Sequence, residues 1–177
     1  SESLLPSQKS VALSPDDADA HSNLGVVLKD LGRLNEAEAS YRQAIALRPT
    51  FAEAHSNLGN MLLELDRPEK AEASLRQALI LKPDFAEAHY NLGNTLKALN
   101  RIDEAGESYE QAIAIKPDHA KAHNNLGKTL QEIGRLDKAE ASYIKAVALK
   151  PDVAEANRTL STSTKFSSDD EQLSRMW

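Results

Sequence analysis

The sequence contains no cysteine, few aromatic residues and no long apolar run, and each of these shortages excludes a class of protein. Without cysteine, the chain can form neither disulfides nor thiolate metal sites. No apolar run approaches the roughly 20 residues that cross a bilayer, so we predict no membrane partner. Aromatic residues make up only 5% of the chain, while Ala, Leu, Glu and Lys are abundant. This composition favours helices that pack through small side chains.

The chain also lacks an excess of positive charge. Its formal net charge is -6, which gives no support to a phosphate-binding surface, so we predict no nucleic-acid partner. It begins with Ser1 rather than methionine and shows no signal peptide, which we interpret as a fragment of a longer protein. The cytoplasm is the favoured compartment.

What the sequence does contain is a repeat. The segment FAEAHSNLGN begins at Phe51, and FAEAHYNLGN begins at Phe85, 34 residues later, with nine of ten residues identical. HSNLG from His21 and HNNLG from His123 fall in the same register, so four copies fill residues 18–153. A fixed period of this length predicts a solenoid, in which each unit covers its apolar face only with its neighbours.

Two recurring turn positions predict that each unit folds as two helices. One is a proline that ends an apolar-periodic run, at Pro15, Pro49, Pro83, Pro117 and Pro151. The other is a residue type that tolerates the left-handed conformation at the end of a helix, at Gly32, Asp66, Asn100 and Gly134.

The polar residues near the helix ends suggest how the helices are capped. Capping boxes are predicted before first helices at Thr50–Glu53, Asp84–Glu87 and Asp152–Glu155, and before second helices at Asn35–Glu38 and Asp137–Glu140. A basic residue near the end of each second helix would complement the helix dipole, at Arg48, Lys82, Lys116 and Lys150.

A glycine in the middle of each first helix predicts a close contact. Glycine costs roughly 1 kcal/mol relative to alanine in a helix, yet it recurs at Gly25, Gly59, Gly93 and Gly127. We predict that the second helix passes there. The small residues that face the contact would be Ala37, Ala71, Ala105 and Ala139, with Tyr41, Leu75, Tyr109 and Tyr143 beside them.

These residues together resemble the tetratricopeptide repeat: NLG, then Ala, an aromatic residue or Leu, Ala and Pro at a spacing of 34 residues. The resemblance divides the chain into a partial repeat (1–17), four repeats (18–51, 52–85, 86–119 and 120–153) and a C-terminal capping helix with a tail (154–177). It implies an all-α, right-handed superhelical solenoid of antiparallel helix pairs. One departure is histidine where the family often has tryptophan, at His21, His55, His89 and His123.

The resemblance also implies that first helices line a concave groove, where such proteins usually bind peptide segments. The residue before the repeated leucine is always asparagine, at Asn23, Asn57, Asn91 and Asn125. An amide offers a donor and an acceptor and can pair with the backbone of an extended ligand. This row is similar to the asparagine ladder of O-linked N-acetylglucosamine transferases. The alternative is that these asparagines only face water.

Neighbouring positions vary between repeats, as a selective surface would require. Candidate groove residues there are Tyr90, Asn124, Asn60, Asn94 and Lys128. Lys29, Lys97 and Lys121 would add positive charge. Chaperone-binding members of the family hold a carboxylate with a set of Lys, Asn, Asn, Lys and Arg over three repeats. That set is absent here, although Lys121 and Asn125 supply parts of it.

No catalytic, metal or cofactor site is predicted. The repeated histidines lack a second ligand one turn away, so we interpret them as structural, and the sequence has no cysteine, no serine elbow and no glycine-rich cradle. We therefore predict a non-catalytic scaffold that binds an extended peptide. The alternative is the substrate-recruiting region of a larger transferase, since TKFSSDDEQLSRM from Thr164 is similar to the segment after the repeats in bacterial sulfotransferase proteins. The apolar terminal faces predict possible self-association.

Overall fold

A computed structural model describes residues 4–150 of the chain. These residues form nine helices and no strand. The helices are α1 (Leu4–Leu13), α2 (Ala18–Asp30), α3 (Leu34–Leu47), α4 (Ala52–Glu64), α5 (Pro68–Leu81), α6 (Ala86–Ala98), α7 (Ile102–Ile115), α8 (Ala120–Glu132) and α9 (Leu136–Leu149).

The turns inside the repeats adopt the predicted left-handed conformation. The φ angles are 72° at Gly32, 56° at Asp66, 58° at Asn100 and 75° at Gly134. In the first of these turns, the amide of Arg33 donates to the carbonyl of Leu28 at 2.9 Å, and the amide of Gly32 donates to Lys29 at 2.8 Å. This pattern is a Schellman motif, which satisfies the last carbonyls of a helix. The prediction from residue types is confirmed.

The predicted capping boxes are wrong within the described residues. Helix α4 begins at Ala52 after Phe51, which makes no side-chain capping bond, and α6 begins in the same way after Phe85. The amide of Phe51 donates to the carbonyl of Arg48 at 3.0 Å. Because this turn includes Thr50, the helix begins one residue later than the sequence suggests. The pair Asp152–Glu155 lies outside the described residues.

The second helices start two residues earlier than their predicted boxes imply. Arg33 precedes α3 and Arg135 precedes α9, neither with a side-chain capping bond, so Asn35 and Asp137 lie inside their helices. Only α2 has a carboxylate cap among the helices of residues 4–150. There Asp17 accepts from the amides of Asp19 at 2.9 Å and Ala20 at 3.4 Å.

The chain divides into two compact units between Asn100 and Arg101. In the first unit, α2 packs on α3, α4 packs on α5, and α4 also contacts α2 and α6. Its core includes Leu28, Ala37, Tyr41, Leu58, Met61, Leu62 and Ala71. In the second unit, α8 packs on both α7 and α9.

The predicted close contact at the repeated glycines is present in both units, but a different neighbour makes it. A Cβ atom on Gly25 would lie 2.7 Å from the Tyr41 ring, and one on Gly127 would lie 2.6 Å from the Tyr143 ring. At Gly59 the nearest atoms are Leu75 Cγ at 2.5 Å and, further away, the Ala71 carbonyl oxygen at 3.1 Å. The large residue of the second helix therefore fills the space above the glycine, and the alanine beside it is only a secondary contact.

Candidate peptide-binding face

The first helices of the first unit lie side by side, because α4 contacts both α2 and α6. They carry Asn23, Asn57 and Asn91 at the same register position. The exposure of these three residues differs: Asn23 is exposed, Asn57 is half-buried and Asn91 is 6% exposed. The row of amides therefore runs from a solvated position on α2 to a buried one on α6.

A second row of amides lies one turn further along two of these helices. Asn60 follows Asn57 on α4, and Asn94 follows Asn91 on α6, so each pair shares a helix face. Both Asn60 and Asn94 are half-buried. The side-chain amides of Asn23, Asn57, Asn60 and Asn91 make no hydrogen bond to another described residue. Their donors and acceptors are consequently available to a ligand.

The hydroxyl groups near these amides are buried or already interact with another group. Thr95 is fully buried, and its Oγ1 donates to the carbonyl of Asn91 at 2.9 Å. Ser56 is also buried, whereas Tyr90 is half-buried and already interacts with a neighbouring group. The amides are therefore the main polar groups that this face can offer to a peptide.

In the second unit, the predicted residues lie on α8. Asn125 and Lys128 are half-buried, while Asn124 is only 6% exposed. The Asn124 Nδ2 group donates to Asn125 Oδ1 at 3.4 Å, and Asn124 Oδ1 is buried without a hydrogen-bond partner among the described residues. Because the Asn124 Oδ1 atom is itself buried, a ligand could reach it only if the surrounding side chains moved.

The lysines add less free charge to this face than the sequence suggests. Lys29 Nζ lies 2.9 Å from Glu64 Oε1, so an ion pair links α2 to α4. The positive charge of Lys29 is therefore balanced by Glu64. Lys97 also interacts with a neighbouring group, and Lys121 is exposed. Sequence reasoning missed this pair, although Lys29 and Glu64 occupy adjacent register positions in successive repeats.

The basic residues that end the second helices make specific contacts beyond the helix dipole. Arg48 forms an ion pair with Asp19, and Lys82 Nζ lies 2.9 Å from Glu53 Oε1. The hydrogen bond from Lys82 is the main cause that lowers the pKa of Glu53, and the hydrogen bond from Arg48 likewise lowers the pKa of Asp19. Both cations also lie over aromatic rings. In both pairs the basic residue comes 29 residues after its acidic partner. This common separation is the signal from which the sequence could have predicted the pairs.

Each repeated histidine joins a first helix to the loop that precedes it. His21 Nε2 lies 2.8 Å from the carbonyl oxygen of Pro15, and His55 Nε2 lies 3.0 Å from that of Pro49. His89 and His123 make the same bond to Pro83 and Pro117. Because a proline carbonyl can only accept, Nε2 carries the proton in this bond. This contact gives the histidines a structural role, and no cluster suited to a metal ion occurs within residues 4–150.

The sequence matches models of known protein families. A model described as TPR repeat matches residues 27–66, 59–100 and 93–134, and models described as tetratricopeptide repeat match residues 7–39 and 120–153. The chain belongs to the tetratricopeptide repeat family. The predicted all-α tetratricopeptide fold is confirmed. A comparison with curated proteins found no match.

Solved tetratricopeptide structures have the same fold. MamA is 29% identical, with a TM-score of 0.73 over 84% of this chain and 87% of MamA. TTC0263 from Thermus thermophilus is 23% identical, with a TM-score of 0.76 over 91% of this chain and 88% of that protein. The first tetratricopeptide domain of Spaghetti, bound to the HSP90 peptide SRMEEVD, is 23% identical, with a TM-score of 0.65 over 67% of this chain and 94% of that domain. Among the described helices, none combines the length and apolar composition required to cross a membrane.

Proposed function

We propose that this tetratricopeptide chain is a non-catalytic scaffold that binds an extended peptide segment on the first helices of its first unit. The observation that carries the proposal is the set of available amides on adjacent helices. Three of these side chains are partly or largely removed from water, namely Asn57 and Asn60 on α4 and Asn91 on α6. They make no hydrogen bond to another described residue.

This arrangement suits the backbone of a peptide better than one particular side chain. An extended peptide presents alternating N–H and C=O groups, and a side-chain amide can pair with either of them. An amide that is partly desolvated before binding loses less water when the ligand arrives, so its hydrogen bond contributes more to affinity. Selectivity then depends on residues that differ between repeats, such as Tyr90.

Two resemblances support this proposal. The row of asparagines is similar to the ladder of O-linked N-acetylglucosamine transferases, and the Spaghetti domain of the same fold binds a peptide. The set of Lys, Asn, Asn, Lys and Arg with which chaperone-binding members of the family hold a C-terminal carboxylate is absent from this sequence. We therefore expect an internal, extended segment as the ligand.

The alternative is that the chain recruits substrates for a larger transferase. Its sequence support lies in the segment from Thr164, outside the described residues. The two functions would use the same amide face and differ in whether a transferase domain comes after the repeats. The open reading frame of the parent protein distinguishes them.

The test is an amide triple variant, Asn23→Ala/Asn57→Ala/Asn91→Ala, assayed with a peptide selected from a display library against the wild type. If each bond contributes about 0.5 to 1.5 kcal/mol, the triple variant should lose roughly 1.5 to 4.5 kcal/mol of binding free energy by calorimetry. Its melting temperature should stay within about 4 °C of the wild type, because alanine is the better helix former.

The matched control removes three amides from second helices, in the variant Asn35→Ala/Gln43→Ala/Gln111→Ala. All three side chains are exposed, and the control should bind the selected peptide like the wild type. Equal affinity of the amide variant and the wild type would overturn the proposal and would show that these asparagines are only solvated.

A further inference from the structure

Two equivalent grooves lie between second helices and the first helix that packs between them, one groove in each unit. Groove A lies in the first unit, has a volume of about 400 Å³ and is lined by α3, α4 and α5. Groove B lies in the second unit, has a volume of about 340 Å³ and is lined by α7, α8 and α9. Each residue that lines groove B occurs 68 residues, or twice the 34-residue period, after a residue that lines groove A.

The side chains that line both grooves are mainly apolar. In groove A the lining includes Ile45, Ala46, Leu58 and Ala73. Groove B has Ile113, Ala114, Leu126 and Ala141 at the same places. The alanines are exposed, so each groove is open to an apolar side chain from outside.

The grooves differ in charge at two equivalent places, since groove B also has Lys145 where groove A has Gln77. Arg42 lines groove A, and Glu110 stands at the equivalent place in groove B. Arg42 already pairs with Glu38, yet its side chain remains 58% exposed. Glu110 is exposed as well. At the position of Arg42 and Glu110, groove A of one molecule and groove B of another therefore offer opposite charges.

The same chain also supplies apolar side chains that could fill such grooves. Ile80 on α5 is 73% exposed and Ile144 on α9 is 54% exposed. The other three repeats have alanine at the place of Ile80, namely Ala46, Ala114 and Ala148, and a charged residue at the place of Ile144, namely Arg42, Arg76 and Glu110. Ile80 follows Gln77, a groove A residue, by one helical turn. Ile80 and Ile144 are thus both exceptions to the repeat and lie on the helices that line the grooves.

We propose that groove A docks against groove B of a second copy of this chain, with Ile80 and Ile144 as the inserted apolar side chains and Arg42 opposite Glu110. This surface is separate from the amide face, and it is also separate from the exposed leucines of α1. The grooves include His55 and Leu58 of α4 and His123 and Leu126 of α8, but none of the asparagines of the proposed peptide site.

Charge reversal provides the test, with self-association of the full chain measured by sedimentation equilibrium. Arg42→Glu sets two carboxylates against each other across the contact, and Glu110→Arg sets two guanidinium groups against each other. Each variant alone should therefore associate about tenfold more weakly or worse. An equimolar mixture of the two variants restores opposite charges between unlike molecules and should associate like the wild type. Ile80→Ser should weaken association with the fold intact by circular dichroism.

Two control variants separate this surface from other sources of association. Lys121→Glu changes an exposed charge on α8 outside both grooves and should leave association unchanged. Leu5→Ser/Leu13→Ser removes exposed leucines of α1 and should also have little effect. The proposal is overturned by a wild type that stays monomeric up to about 1 mM, by a mixture that fails to recover, or by association that depends on the α1 leucines instead.

Discussion

At the scale of single residues, the repeated glycine shows how one missing side chain determines helix packing. A Cβ atom on Gly59 would lie 2.5 Å from Leu75 Cγ, so Gly59→Leu should overpack the contact and lower the free energy of unfolding by about 1 to 3 kcal/mol or more. Gly106 is the matched control, because its Cβ would meet only Thr129 Cγ2 at 3.6 Å among the described residues. Gly106→Ala should stabilise the chain by up to about 1 kcal/mol through helix propensity. Urea denaturation measures both changes, and equal midpoints for both variants would contradict the close-contact argument.

At the scale of one element, the end of α4 depends on a residue in an unfavourable conformation. Asp66 has a φ angle of 56°, which costs an L-residue other than glycine roughly 1 to 2 kcal/mol. Two other repeats have Gly32 and Gly134 at this turn. Asp66→Gly should therefore raise the free energy of unfolding by up to about 1 kcal/mol, and Asp66→Val should lower it by about 1 to 2 kcal/mol. Thermal unfolding of the two variants would rule out this account if both moved the melting temperature in the same direction.

At the scale of the whole molecule, a solenoid buries its apolar residues between neighbouring units, so a local change should act locally. In a solenoid each helix pair packs against its neighbours along the chain, and in the first unit α4 lies among α2, α3, α5 and α6. In the Gly59→Leu variant, amide hydrogen exchange should accelerate by at least about tenfold in α4 and α5, while α8 and α9 keep exchange rates close to those of the wild type. A uniform acceleration across all helices would instead show that the chain unfolds as one cooperative block.

Much of this architecture could be predicted from the sequence, because its signals are local. The proline and glycine positions end helices through backbone geometry within a few residues, and the 34-residue period places the asparagines in one register. The left-handed turns at Asp66 and Asn100 are predicted from residue type alone and are present. The capping boxes failed at Thr50, since a turn to the preceding helix determined where α4 begins.

The partners and burial of the side chains were decided only by tertiary packing. Four identical asparagines differ in exposure from Asn23 to Asn91 because each has different neighbouring helices. Lys29 pairs with Glu64 on the next first helix, and Lys82 pairs with Glu53, 29 residues away. Grooves A and B also form only where three helices meet. A repeat period specifies which residues occupy equivalent positions, whereas the energy of each position depends on the atoms that packing brings against it.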